Sequence, residues 1–150
     1  MSARRIEPSL VSKTLYNTLV QYDTQISTQT SLDEVLVELI KVKISQLNGC
    51  AYCIDYHAKQ ATKIGISSQQ LLLLNAYQET ALFTPKEKAA LTWAQALTFV
   101  ATTHADDEYY EPLIQYFTEK EVVDLTYLVG LVNVWNRLAI GMRYNLEKEA

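Results

Sequence analysis

The sequence predicts an all-α fold, and three of its features support this prediction. Only four glycines and three prolines occur among the 150 residues, and no β-hairpin signal is present. Apolar residues recur along most of the chain at the three- and four-residue spacing of helices. Several residue pairs have the spacing of a helix capping box, in which the first side chain caps a free backbone N–H and the second reaches back. These pairs are Ser31 with Glu34, Ser67 with Gln70, Thr84 with Glu87, and Thr118 with Glu121.

These signals predict about seven helices in one domain that covers residues 1–150. The helices are expected at residues 8–22, 32–47, 50–64, 68–78, 85–101, 106–117 and 119–144. Pro85 stands at the first position of its helix, where a missing N–H costs nothing, and Gly65 stands where the third helix should end. A chain of 150 residues without repeats, low-complexity segments or linkers suits a single domain.

The last predicted helix is apolar almost all round. Its apolar residues include Val122, Val123, Leu125, Leu128, Val129, Leu131, Val132, Val134, Trp135, Leu138 and Ile140. A helix that lacks a polar face is buried on all sides. In a domain this small, another subunit would cover part of that surface, so we predict a homo-oligomer.

The charge and hydropathy patterns argue against nucleic-acid and membrane binding. The net charge is −4, and no basic stripe is present to neutralise phosphates. The first eight residues lack the apolar core of a signal peptide, and the longest uncharged apolar run is too short to cross a bilayer. We therefore expect a cytoplasmic protein, and a reducing compartment would keep its two cysteines as thiols.

The most informative segment is Gly49-Cys50-Ala51-Tyr52-Cys53-Ile54-Asp55-Tyr56-His57, at the start of the third predicted helix. At about 100° per residue, Cys53 lies about 60° and His57 about 20° from Cys50, which predicts that all three side chains point the same way. A helix N-terminus lowers the pKa of a thiol and so makes the thiolate available as a nucleophile. His57 is placed to accept the proton of Cys53. The second cysteine is close enough to resolve a sulfenic acid.

Glu38 is a candidate third member of this site. On the second predicted helix it shares a face with Val42, Ser45 and Gly49, and that face leads into the turn at Cys50. We expect a carboxylate there to orient His57 and to raise its basicity. The candidate catalytic residues are therefore Glu38, Cys50, Cys53 and His57.

Two other interpretations of these residues stay open. The four side chains form a possible tetrahedral zinc site, although structural zinc usually joins ligands from two separate loops. The second interpretation is an oligomeric protein that senses oxidants without turnover, since a sensor needs the same low-pKa thiol. No flavin, haem or nucleotide motif is present, so we expect no cofactor and no metal, with the cysteines as the redox centre.

Glu38 followed twelve residues later by Cys50-x-x-Cys53-x-x-x-His57 resembles the active-site pattern of alkylhydroperoxidase D-like proteins in the carboxymuconolactone decarboxylase-like family. The match is closest over residues 35–65, and a looser pattern, including Asn133-Val-Trp-Asn136-Arg137, covers most of the chain. The resemblance implies an all-helical subunit that assembles into trimers, often paired into hexamers. It also implies reduction of organic or hydrogen peroxides through a dithiol. An external dithiol, or a thioredoxin-like or lipoyl-bearing partner, would then reset the enzyme.

The resemblance also implies a role for each site residue. Cys53 would be the peroxidatic thiol, Cys50 the resolving thiol, His57 the proton acceptor and Glu38 its relay partner. Some family members carry a histidine where this chain has Tyr52, and a tyrosine does not titrate near neutrality. The implied relay therefore has four members rather than five. Decarboxylation is not expected, because the true decarboxylases of the wider family lack the cysteine pair.

Overall fold

The computed structural model describes residues 3–149, and all of the regular secondary structure in this range is helical. The α-helices are α1 (Pro8–Val11), α2 (Lys13–Gln29), α3 (Glu34–Asn48), α4 (Ala51–Lys63), α5 (Ser68–Leu72), α6 (Pro85–Thr98), α7 (Val100–Thr103), α8 (Asp107–Ile114) and α9 (Glu119–Gly141). A 3-10 helix, Leu74–Glu79, lies between α5 and α6. The predicted all-α fold is thus confirmed. The described residues form ten helices rather than about seven because three of the predicted helices are interrupted.

The interruptions follow from local backbone conformation. The first predicted helix breaks at Ser12, and α2 then continues to Gln29, seven residues past the predicted end at residue 22. Its last part was missed because the segment is rich in Ser, Thr and Gln, with Ile26 as its buried residue. The helix predicted at 85–101 is divided at Phe99, whose φ of −103° and ψ of 34° are not helical.

Three of the four predicted capping boxes form with both of their hydrogen bonds, at Ser67, Thr84 and Thr118. The box predicted between Ser31 and Glu34 is wrong. Asp33 caps α3 instead, and its carboxylate accepts hydrogen bonds from the Val35 N–H at 2.8 Å and the Leu36 N–H at 3.3 Å. Aspartate caps a helix as well as serine does, so the two-residue shift changes the start of α3 but not its existence.

Helix α3 lies at the centre of the fold. It contacts α4, α6 and α9, and its residues Leu39, Ile40, Val42 and Ile44 are completely buried. Burial of side chains of this size contributes roughly 1.5–3 kcal/mol each. This packing fixes the end of α3, and with it the position of the cysteine turn that follows.

The turn between α3 and α4 depends on a left-handed residue. Gly49 ends α3 with φ of +69°, a conformation that glycine adopts without steric penalty. The Cys50 N–H donates a hydrogen bond to the Ser45 carbonyl at 3.0 Å, so Cys50 begins α4 as its N-cap directly after the turn. Gly65, with φ of +92°, follows the end of α4 as predicted.

Only part of the apolar surface of helix α9 is buried within one subunit. Leu125, Leu128 and Leu131 face the core, whereas Val123, Tyr127 and Val134 are about half exposed. The exposed three lie four and seven residues apart and so form one stripe along the helix. The predicted second subunit, which would cover this stripe, stays a prediction. Among the residues described, no helix is both long and apolar enough to span a membrane.

Candidate active site

Cys50 and Cys53 are joined by a disulfide at the N-terminus of α4, with their Cα atoms 5.3 Å apart. Cys50 is the N-cap residue, and its Sγ accepts a hydrogen bond from the Cys53 N–H at 3.3 Å. Both residues are buried, with Cys50 1% and Cys53 5% exposed, and Ala139 of α9 packs against them. The structure therefore contains the oxidised state of a dithiol couple held against the core.

The structure places Glu38 beside His57. Glu38 Oε2 lies 3.8 Å from His57 Nδ1, and each side chain is only 13% exposed. That separation exceeds hydrogen-bond length, and neither atom has a hydrogen-bond partner among the described residues. Across residues 3–149, no three His, Cys, Asp or Glu side chains are grouped to hold one metal ion. The pair is thus an acid next to a base, both withdrawn from solvent.

Lys41 is a charged neighbour of this pair that sequence analysis missed. Its Nζ lies 3.5 Å from Glu38 Oε1, one helical turn further along α3. Burial raises the pKa of Glu38, and the Lys41 cation opposes part of that rise. The i, i+3 spacing of Glu38 and Lys41 was the signal that could have identified it.

The prediction that Glu38 raises the basicity of His57 is not met in this state. Burial lowers the pKa of His57 to about 4, and the Lys41 cation acts in the same direction. The physical reason is that an imidazolium in this position would lose its hydration and face a nearby positive charge. His57 is consequently neutral at pH 7, which is the form that can accept a proton.

Two cavities meet at His57. The first, which we call the thiol cavity, has a volume of about 270 Å³ and is lined by Cys53 and His57 together with aromatic side chains. Those side chains are Tyr16, Tyr52, Tyr56, Trp135 and Tyr144. The second, which we call the charged cavity, measures about 450 Å³ and is lined by Glu38, Lys41 and His57. His57 therefore lines both the cavity of Cys53 and the cavity that contains the charged side chains of Glu38 and Lys41.

Cys50 does not line the thiol cavity. The prediction that both cysteines and His57 point the same way therefore holds for Cys53 and His57 only. Cys50 precedes the first helical residue and has an extended backbone, with φ of −83° and ψ of 94°. The helical angle of about 100° per residue does not apply to a residue with that conformation.

Asp23 and Trp135 complete the wall of the thiol cavity. Trp135 Nε1 donates a hydrogen bond to Asp23 Oδ2 at 2.9 Å, and the Tyr16 ring packs edge-on against Trp135 at 5.7 Å. This contact joins α2 to α9 across 112 positions of sequence. Asp23 was missed because it lies just beyond the predicted end of the first helix.

A buried polar network holds the cysteine turn against α9. Asn136 is completely buried, and its Oδ1 accepts a hydrogen bond from Asn48 Nδ2 at 2.9 Å. Its Nδ2 donates to Ser45 Oγ at 3.1 Å. Asn133 Oδ1 accepts a second hydrogen bond from Asn48 Nδ2, at 3.0 Å. Since Asn48 is the last residue of α3, the network fixes the residues immediately before Cys50.

Comparison with known proteins identifies a family. The model of the carboxymuconolactone decarboxylase family matches residues 13–96. The uncharacterised protein YdfG of Bacillus subtilis (strain 168) is 38% identical over 114 residues, which are 76% of this chain and 78% of YdfG. The range of the family model includes α3, α4 and the cysteine pair.

Solved structures share the whole fold. A protein of unknown function from Agrobacterium tumefaciens, for which a role as the antioxidant defence protein AhpD has been suggested, superposes with a TM-score of 0.94. It is 32% identical, and the match covers 98% of this chain and 100% of that one. The debrominase Bmp8 superposes with a TM-score of 0.78 over 91% of this chain and 73% of its own, at 20% identity, and so shows the fold alone. The matched family model and the YdfG and Agrobacterium relatives agree, and the chain belongs to the carboxymuconolactone decarboxylase family, among its AhpD-like members.

Proposed function

We propose that the protein is a thiol-dependent peroxidase that reduces alkyl or hydrogen peroxides through the Cys50–Cys53 dithiol/disulfide couple. The observation that carries this proposal is the shared cavity of Cys53 and His57, with Glu38 directly behind the imidazole. A thiol, a neutral base and a buried acid in this order are the parts that thiolate chemistry requires.

The reaction begins in the reduced protein. His57 takes the Cys53 proton, and the thiolate attacks the distal peroxide oxygen. The O–O bond breaks, its electron pair leaves with the alkoxide or hydroxide, and His57 returns the proton to release alcohol or water. Cys53 is now a sulfenic acid. The Cys50 sulfur attacks Cys53 Sγ and displaces the hydroxyl as water, so two thiols are oxidised and one peroxide is reduced.

The walls of the thiol cavity favour organic hydroperoxides. Tyr16 and Trp135 present aromatic surface to the space beside Cys53, whereas Asp23 and His57 are its polar members. An apolar group would gain roughly 25 cal/mol per Å² of buried surface against such walls. Hydrogen peroxide has no such group, so we expect it to be the poorer substrate.

The remaining parts of the proposal concern partners and location. An external dithiol, or a thioredoxin-like or lipoyl-bearing partner, returns the disulfide to the dithiol. The half-exposed stripe of Val123, Tyr127 and Val134 supports assembly into a trimer-based homo-oligomer. We place the protein in the cytoplasm, where a disulfide formed during turnover would be reduced again.

The decisive experiment is a free-thiol count on reduced, metal-free protein, before and after one equivalent of cumene hydroperoxide. We expect both thiols to disappear with no crosslink between subunits. Two thiols that persist through prolonged exposure would overturn the peroxidase and direct attention to the zinc interpretation. Steady-state peroxide consumption with an added dithiol then separates an enzyme from an oxidant sensor, which would react once and stop.

A further inference from the structure

The two cysteines of the disulfide open onto different cavities. Cys53 lines the thiol cavity and Cys50 does not. Cys50 lines a separate space of about 280 Å³, to which neither Cys53 nor His57 contributes, and which we call the reductant cavity. Its other members include Ala51, Ile140, Arg143 and Leu146. The two cysteines of the disulfide thus line two different spaces.

The partition consists of residues that line both cavities. Tyr52, Ala139 and Tyr144 are common to the two, and the Tyr52 and Tyr144 rings meet edge-on at 5.2 Å. Ala139 packs directly against the cysteines, and Tyr144 packs on the same cluster. Tyr52, which lies between the two cysteines in the sequence, is therefore part of the wall between the two cavities.

We propose that the dithiol that regenerates the protein enters the reductant cavity and attacks Cys50, while the peroxide uses the thiol cavity and Cys53. This inference rests on the proposed function, because it assigns a separate route to the second half of the same catalytic cycle. The occupant is a slender dithiol, either free or carried on a flexible apolar arm.

Burial favours a slender reductant. Cys50 is 1% and Cys53 5% exposed, so a narrow dithiol reaches these residues more readily than the rigid active site of a folded protein does. A narrow chain can reach Cys50 along Ile140 and Leu146, which are 48% and 37% exposed. The exposed Arg143 adds a positive charge near the entrance, which favours the thiolate form that attacks disulfides.

The chemistry follows from the position of each sulfur. A thiolate attacks a disulfide from the side opposite the leaving sulfur. Attack from the reductant cavity therefore forms a bond to Cys50 Sγ, breaks the Cys50–Cys53 bond and leaves the electron pair on Cys53. The second thiol of the reductant then displaces Cys50 and closes the reductant's own disulfide. The two protons of the dithiol end on Cys50 and Cys53, and Cys53 is again the free thiol beside His57.

Adduct mapping on the unmodified protein tests which sulfur is attacked. The disulfide is formed with diamide, so that no peroxide is involved, and the protein is exposed briefly to 2-mercaptoethanesulfonate. Acid and N-ethylmaleimide then trap the products, and peptide fragmentation locates them. We expect the sulfonate adduct on Cys50 and the maleimide on Cys53. The reverse pattern, or an even distribution, overturns the proposal.

Two matched tryptophan variants test the separate routes. Ile140 lines only the reductant cavity and Val20 only the thiol cavity, so a tryptophan at each position should obstruct one cavity and not the other. Ile140 is 48% and Val20 41% exposed, so folding should tolerate both changes. We expect Ile140→Trp to slow dithiothreitol reduction of the diamide-formed disulfide about tenfold without slowing its oxidation by cumene hydroperoxide. Val20→Trp should show the opposite pattern.

The outcomes separate this inference from the proposed function. Equal slowing of both half-reactions by either variant would mean one shared route and would defeat the inference. A second outcome combines two results: the wild type does not react with peroxide, but Ile140→Trp still slows the reduction of the disulfide by dithiothreitol. That outcome would overturn the proposed peroxidase and support the separate route to Cys50.

Discussion

His57 Nδ1 lies 3.8 Å from Glu38 Oε2, and each side chain is only 13% exposed. This acid and base occupy neighbouring helices, α3 and α4; His57 lines both the thiol cavity and the charged cavity, whereas Glu38 lines the charged cavity. Burial keeps the imidazole neutral. In the proposed mechanism the neutral His57 receives the proton of Cys53 and passes it to the charged cavity.

Replacement of each cysteine by serine should separate the two steps of oxidation. Cys53→Ser removes the nucleophile beside His57, so peroxide consumption should be abolished. Cys50→Ser keeps the nucleophile but not the resolving thiol, so one equivalent should react and stop at the sulfenic acid. Intact-mass measurement after peroxide, with dimedone as the trap, checks both. Full steady-state activity in Cys53→Ser would show that the roles are assigned wrongly.

His57→Gln should slow the oxidation of the reduced protein by roughly 10²–10⁴-fold at pH 7, because glutamine cannot accept the thiol proton. The apparent thiol pKa in the pH–rate profile should rise. Glu38→Gln should change the profile in the same direction by less, since the carboxyl acts through the imidazole. An unchanged profile in His57→Gln would remove His57 from the relay.

Acidification should destabilise the protein through His57. The folded state holds the pKa of His57 at about 4, below its usual 6.5. Between these values the unfolded chain binds a proton that the folded protein excludes, so stability falls as the pH decreases from about 6.5 to about 4. The full loss below both values is about 3 kcal/mol. Glu38 acts in the opposite sense, because its raised pKa favours the folded state as the pH falls.

Urea unfolding at several pH values between 7 and 4 measures this effect. His57→Gln is the matched control, because it keeps Glu38 and Lys41. The free energy of unfolding of the wild type should decrease more steeply than that of the variant. Parallel curves would contradict the burial of His57.

Lys41→Met should raise the pKa of His57. The Lys41 cation holds that pKa down, and it also stabilises the charged form of Glu38. Removal of the cation therefore relieves His57 of a repulsive charge. NMR titration of the His57 ring proton, assigned with His57→Gln, measures the change, and Lys41→Arg is the charge-conserving control. A pKa of His57 that is the same in Met and Arg variants would exclude a role for Lys41.

Asn136→Ala should destabilise the fold by about 2–3 kcal/mol, because it removes the donor to the buried Ser45 Oγ and one of the two acceptors of Asn48 Nδ2. Asn145→Ala, at an exposed position, should change stability by less than about 0.5 kcal/mol. Chemical denaturation compares the two variants. Similar stabilities would show that the network around Asn136 does not support the cysteine turn.

Replacing glycine by alanine should change the stability of the protein in opposite directions at Gly49 and at Gly130. No atom lies within 4 Å of a Cβ built at Gly49 or at Gly130, so neither substitution causes a clash. Gly49 has φ of +69°, where alanine is strained by about 1 kcal/mol, so Gly49→Ala should destabilise. Gly130 is helical, so Gly130→Ala should stabilise by a similar amount. Thermal unfolding of both variants checks the signs.

Sequence analysis was most successful where structure depends on neighbouring residues. The capping boxes at Ser67, Thr84 and Thr118 formed as predicted, because a cap involves groups within one helical turn. It failed at Ser12 and Phe99, where the backbone leaves the helical region without a glycine or proline to signal the break. The predicted end of the first helix was also too early, because the polar segment before Gln29 has too few apolar residues to show helical spacing.

The amino-acid sequence alone was enough to predict the all-α fold, the Cys50–Cys53 spacing and the placement of Cys53 and His57 on one side of α4. These are consequences of helical geometry over a few residues. Tertiary packing, in contrast, gives Cys50 a different cavity, brings Trp135 within hydrogen-bond distance of Asp23, and buries His57 beside Lys41, which lowers the pKa of His57. Cavities and burial arise where residues far apart in the chain pack together. The periodicity of a helix does not predict which distant residues pack against each of its faces.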